Sequence, residues 1–184
     1  MKQMMMQGKQ RGVTLIELSF VLAIFGLLIA GALAGAAYFD GAKATNESSA
    51  LLRVFGNLQQ KYAVAAKTTA VTTANAITGN VFKDPAWSVN KTAGTVTNQF
   101  SGAVTVAKAT AVSADDAFLI TETEVPAAVC QKLIPMVIDS TYRLKIGTVT
   151  VKANPSIVVA PATIDTECAK ATTATIVYTI HKNR

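Results

Sequence analysis

The sequence predicts an α+β fold, with one long N-terminal α-helix packed on a mostly antiparallel β-sheet. Three observations carry this expectation. From Leu18 to Phe39 no side chain is charged; at 1.5 Å per residue that is roughly 33 Å of helix, about one hydrocarbon thickness. Beyond Asp40, Leu51, Phe55, Leu58, Tyr62 and Ala65 recur at alternating steps of four and three, the spacing of one apolar stripe on a helix. The C-terminal half holds short β-branched or alternating runs separated by polar turns, the signature of strands.

Taken in order, the helix is expected from about Val13 to Lys67. Its hydrophobic part is 13–39 and its amphipathic part 40–67, with Asn57, Gln59, Gln60 and Lys61 opposite the stripe. It ends in a Thr- and Val-rich run at 68–73, made of poor helix formers. Residues 68–102 read as a long connecting segment with turn signals at Thr78-Gly79-Asn80, Asp84-Pro85 and Ala93-Gly94, and Trp87 anchors it to the core. Strands are expected at 103–107, 117–121, 147–152, 156–160 and 174–180. Glu124 to Val137 reads as a short helix carrying Cys130, with Pro126 tolerated in its first turn and Pro135 near its end. The sheet and these pieces form a globular head, 68–184, that covers one face of the amphipathic helix.

Charge and chemistry exclude several classes. Lys+Arg number 17 against Asp+Glu 11. Three of the cations, Lys2, Lys9 and Arg11, precede Gly12, so without them the net charge falls from +6 to +3. The remaining basic residues are scattered, with few aromatic neighbours, so no nucleic-acid partner is expected. His181 is the single histidine, too little for a Ser/His/Asp set. There is no G-x-x-x-x-G-K-[ST], CxxC or HExxH. Asp115-Asp116 reads as a turn or solvated patch, since calcium needs six or more oxygens. The chain is therefore expected to be no enzyme, with no cofactor and no metal site. Cys130 and Cys168 read as a disulfide if the chain is exported, and otherwise as two buried thiols.

The N-terminus decides whether export applies. In a secretory signal peptide, an apolar core precedes a small-residue cleavage site. Here the basic residues and Gly12 come first, and no clear cleavage site follows the apolar run. A plain signal anchor accounts for the cytoplasmic-side positives but gives no reason for Glu17, a carboxylate inside an apolar run. The stretch Arg11-Gly12-Val13-Thr14-Leu15-Ile16-Glu17-Leu18, followed by a charge-free helix, resembles the class III signal of type IV pilins and their pseudopilin relatives. Val13 stands where that family more often has Phe or Met.

The resemblance implies that residues 1–12 are a basic leader, cut by a prepilin peptidase between Gly12 and Val13, and that Val13 is then N-methylated. It implies that 13–39 anchors the chain in the bacterial inner membrane with the head in the periplasm, and later forms the core of an extracellular filament. Glu17 then has a role in assembly, because a carboxylate buried among helices is costly unless it meets an amine. Gly26, Gly31 and Gly35 interrupt the run, and Gly31-x-x-x-Gly35 has the small-residue spacing of close helix contact. A Cys130–Cys168 bridge would bound a surface-facing segment, 131–167, and the setting of the first cysteine leans toward the type IVb group. Implied partners are the chain itself as a homopolymer, the peptidase, an assembly platform with its ATPase, and the inner membrane. The function implied is that of a major pilin, in a filament used for adhesion, aggregation, motility or mating. The alternatives are a minor pilin or a type II secretion pseudopilin and, more remotely, a signal-anchored periplasmic binding domain.

Overall fold

The computed structural model describes residues 15–62, 68 and 70–182, without the side chains of 32–34, 36 and 37. The chain divides into two compact units, one ending at Phe39 and the other beginning at Asp40. Helix α1, Leu15–Tyr62, contributes to both. The expected helix limits, Val13 and Lys67, and stripe residue Ala65 lie outside the described residues.

In the second unit α1 is one-sided. Leu51, Val54, Phe55, Leu58 and Tyr62 are buried, whereas Leu52, Arg53, Gly56, Gln60 and Lys61 are exposed. Asn57 and Gln59 lie at the rim rather than opposite. Asn57 Nδ2 donates to Val81 O at 2.8 Å and Gln59 Nε2 to His181 O at 3.0 Å, so both tie the helix margin to the head.

The head is a seven-stranded antiparallel sheet in the order β1-β2-β3-β4-β7-β5-β6. Its strands are β1 Ser88–Asn90, β2 Thr95–Thr97, β3 Ala103–Ala109, β4 Ala117–Pro126, β5 Arg143–Ile146, β6 Val149–Lys152 and β7 Thr173–His181. The long central pair, β4 and β7, places Phe118, Ile120, Ile176 and Tyr178 in the core with the α1 stripe. Phe55 meets Tyr178 at 5.9 Å between ring centroids, and Tyr62 meets Phe118 at 5.8 Å. Such tilted aromatic pairs stabilise by about 0.5–1.5 kcal/mol beyond area burial.

Several expectations need correction. The 68–102 segment is not a plain connection: it holds α2, Thr73–Thr78, and the hairpin β1–β2. Thr72 caps α2, its hydroxyl accepting from Asn75 N at 3.2 Å. The expected 147–152 strand begins at Val149, because Gly147 (φ +57°) and Thr148 form the two-residue turn joining β5 to β6. Glycine at the first turn position supplies the positive φ this hairpin needs. Residues 156–160 form no strand. Asn154 turns the chain there, accepting from Ser156 N at 3.0 Å through Oδ1, and no neighbouring strand offers it a ladder. Strand β4 continues to Pro126 past a register shift between Glu122 and Val125, so the helix expected from Glu124 starts later, as α3, Ala127–Val137. It is followed by a 3₁₀ turn, Ile138–Ser140, and, after β6, by α4, Pro161–Cys168, with Pro161 at its first position.

Gly102 is required where β2 turns into β3. A Cβ there would lie 1.8 Å from Thr123 O on β4, so any side chain would push this turn away from β4. Elsewhere the core is ordinary. Leu58→Ala is expected to cost roughly 3 kcal/mol through lost burial and a residual cavity, whereas half-exposed Leu52→Ala should stay within about 0.5 kcal/mol. Urea unfolding of the two variants measures the contrast, and equal losses would contradict this placement of the stripe.

Candidate functional site

Three features stand out: the helix of the first unit, the disulfide-bounded segment, and a buried polar cluster that sequence reasoning missed. In the first unit every described side chain from Leu15 to Gly31 is exposed. Leu15 is 88% accessible, and Phe20, Leu22 and Leu27 are also open on different faces. A helix that is apolar all round has no water-facing side and belongs in an apolar surrounding. Glu17 is exposed in the first turn of α1, where a carboxylate is favoured by the helix dipole. No described atom beyond the local helix backbone lies within 4 Å of a Cβ built at Gly26, Gly31 or Gly35. Gly12 and Val13 lie outside the described residues. Among the described residues no helix is long and apolar enough to cross a membrane. Described side chains are continuous only to Gly31, while the expected span runs on to Phe39.

Cys130, on α3, and Cys168, at the end of α4, are both buried and form a disulfide across a sequence separation of 38. The helices meet because each has an apolar face: Val129, Leu133, Ile134 and Val137 on α3, and Ile164 on α4. The enclosed segment carries β5, β6 and α4 and also presents Val158, 95% exposed. Lys152, buried in this segment, donates through Nζ to Ile138 O at 2.7 Å and Thr141 O at 2.9 Å.

The third feature lies where α1 meets the sheet. Glu47 and Glu122 are both fully buried and hydrogen-bonded to each other. Glu47 also accepts from Trp87 Nε1 and, through Oε2, from Gln99 Nε2 at 2.8 Å. Glu122 accepts from Asn98 Nδ2 at 3.1 Å and from the Tyr178 hydroxyl at 3.3 Å. Burial, and then the hydrogen bond and charge of Glu47, hold the Glu122 carboxyl well above the usual range; the Asn98 and Tyr178 hydrogen bonds oppose this. Burial, and then the charges of the two glutamates, push the Tyr178 phenol well up. Two adjacent buried carboxyls cannot both ionise cheaply, so the pair retains a proton. The sequence held a signal for it. Glu47 lies on the apolar stripe between Ala44 and Leu51, and Glu122 continues the inward alternation of Phe118 and Ile120.

Asp115 and Asp116 serve a turn. Asp116 accepts from the amides of Ala111, Val112 and Ser113 at 2.7–3.0 Å. Burial raises its carboxyl, but these amide bonds and nearby His181 outweigh that and leave it below the usual range. His181 is half-buried and sits 3.4 Å from Asp116. Among the described residues no group of three or more His, Cys, Asp or Glu is placed to hold a metal.

An N-terminal helix beside a disulfide-closed antiparallel head is the build of a type IV pilin, and the comparisons agree. The chain belongs to the pilin family whose model, described as PilS N terminal, matches residues 42–181. The prokaryotic N-terminal methylation motif matches residues 7–33. The fold is similar to the type IV b pilin from Salmonella typhi, at 20% identity over 75% of this chain and 97% of that one, with a TM-score of 0.54. It is similar also to TcpA, a type IV pilin from Vibrio cholerae El Tor biotype, at 17% identity over 75% of this chain and 98% of that one, with a TM-score of 0.50. No curated protein matches the chain.

The disulfide gives a direct prediction. Cys130→Ser should lower the stability of the head by about 3–4 kcal/mol, the loop-closure entropy for a loop of this length. Thermal unfolding of the two proteins in non-reducing buffer measures this, and coincident melting curves would mean that the bridge contributes nothing.

Proposed function

We propose that the chain is a structural subunit of a type IV pilus, held in the inner membrane by its N-terminal helix and then polymerised into a surface filament. One observation carries this reading: from Leu15 to Gly31 every described side chain is exposed, on a helix whose only charged side chain there is Glu17. Lipid before assembly and neighbouring helices after it are the two surroundings that satisfy such a surface. The match to the methylation motif supports cleavage between Gly12 and Val13 by a prepilin peptidase, with N-methylation of Val13. An assembly platform and its ATPase supply the work of extraction from the membrane.

Glu17 acts as a register residue. Cleavage leaves an amine at Val13, and a Glu17 buried in the filament core is tolerated where it meets a neighbour's amine. The same penalty disfavours registers in which it does not. Gly26, Gly31 and Gly35, which pack against nothing described in this subunit, leave room for close approach of neighbouring helices. The abundance of a major pilin is part of the proposal, as is membership of the type IVb group, which the likeness to the Salmonella typhi pilin supports.

The deciding experiment is intact-mass spectrometry of filaments sheared from cells. A dominant species beginning at N-methylated Val13, lighter by the two disulfide hydrogens, is expected. A processed protein that stays in the inner membrane and never enters the sheared fraction would overturn the major-pilin reading in favour of a pseudopilin or an unassembled minor pilin. An intact Met1 would overturn processing altogether, and Gly12→Glu should give that unprocessed mass. Glu17→Val should leave insertion and cleavage intact while reducing surface filaments by an order of magnitude or more, about 1.4 kcal/mol of assembly free energy per tenfold. Normal piliation in that variant would remove Glu17 from assembly.

A further inference from the structure

Both ends of the β1–β2 hairpin are fastened to Glu47, and the second end to Glu122 as well. Trp87, immediately before β1, donates to Glu47. Gln99, just after β2, donates to Glu47 and also to Lys43 O at 2.9 Å. Asn98, beside it, donates to Glu122. The hairpin's remaining ladder is short: β1 is an edge strand, and β2 pairs with β3 at two positions, Val96↔Val104 and Thr97↔Ala103, while Asn98 Nδ2 also donates to Thr123 O on β4 at 2.9 Å and Trp87 and Val96 reach the core. The preceding segment is tied to α1 separately, by the Asn57–Val81 hydrogen bond and the Arg53–Asp84 ion pair at 3.3 Å.

We propose that Glu47 and Glu122, sharing one proton, form a pH-sensitive clamp that holds the β1–β2 hairpin to α1 and β4 and releases it as that proton is lost. Among the described residues no cation forms an ion pair with Glu47 or Glu122. Facing groups are Tyr178 from β7, the neutral Trp87, Asn98 and Gln99 from the hairpin's two ends, and apolar Val104 and Ile176 opposite Glu122 on β3 and β7. Lys43 contributes its carbonyl oxygen to Gln99. Tyr178 stays protonated throughout, its phenol being pushed up.

The sign follows from proton counting. In the closed clamp the pair holds one proton. Opened to water, the Glu122 carboxyl returns to the ordinary range near 4.5 and gives up that proton at neutral pH. Opening therefore releases a proton. The contribution of Glu122 to the clamp is complete below the ordinary carboxyl range and is lost as pH rises toward its raised value. Across that window the opening constant should climb about tenfold per pH unit.

Hydrogen exchange of the full-length chain in detergent micelles, corrected for intrinsic rates, reads this constant for residues 87–100. Emission of Trp87, the single tryptophan, follows the same step. The expected result is a slope of one proton in the wild-type hairpin, no slope in Glu122→Gln, and hairpin amides opening more readily than those of α3 at every pH. A flat wild-type profile, a slope that survives in Glu122→Gln, or a common opening constant for the hairpin and α3 would each overturn the clamp. Should Glu122→Gln not fold, Trp87→Phe serves instead. It removes one tie to Glu47 and should raise the hairpin's opening constant at all pH values while keeping the slope, and an unchanged constant would count against the proposal.

Discussion

Burial of one face of α1 by the sheet is the interaction on which the second unit depends. Leu51, Val54, Phe55 and Leu58 of the helix share one core with Ile120, Ile176 and Tyr178 of the central strands. Everything else in the head is arranged around that contact. The β4–β7 pair runs longest because it lies under the helix. The outer strands β1, β2, β5 and β6 are three or four residues each, where less of the core remains to be covered.

The same helix has a different solvation problem in the first unit. There the apolar side chains are not segregated to one face, so no head domain of this chain could cover them all. A soluble monomer would leave hundreds of Å² of contiguous apolar surface in water, far beyond what isolated domains tolerate. The physical chemistry of residues 15–31 thus demands an external partner, whether lipid or other helices, and family membership supplies the context in which both are met in turn.

The Cys130–Cys168 bridge and the Glu47–Glu122 pair solve distinct problems. The bridge joins two short helices and closes a long excursion in which β5, β6 and α4 hold modest apolar area; a covalent link compensates for a small local core. The carboxyl pair sits where covalent fastening is absent, and satisfies the buried donors of Trp87, Asn98 and Tyr178 together with half-buried Gln99. A saturated polar network of this kind makes the packing of the hairpin specific, at the cost of a dependence on proton occupancy.

The sequence by itself determined the α+β class, the long helix and the N-terminal motif, because these rest on periodicity and on local spacing. The apolar stripe of α1 is legible in Leu51, Phe55, Leu58 and Tyr62, since helical geometry alone brings them to one face. Strand β3 is legible because its side chains alternate with the period of two that a strand imposes, and β7 because it is a β-branched run. Only tertiary structure decided that Arg143–Ile146 is a strand and 156–160 is not, because a strand exists where another offers its ladder: 156–160 is the richer of the two in β-branched residues, yet it is Arg143–Ile146 that lies against β7. Tertiary structure alone also brought Glu47 and Glu122 together. Each is a polar interruption in an apolar pattern when read along its own element. They become a proton-sharing pair because the packing of α1 on β4 places two positions far apart in sequence against one another, out of water.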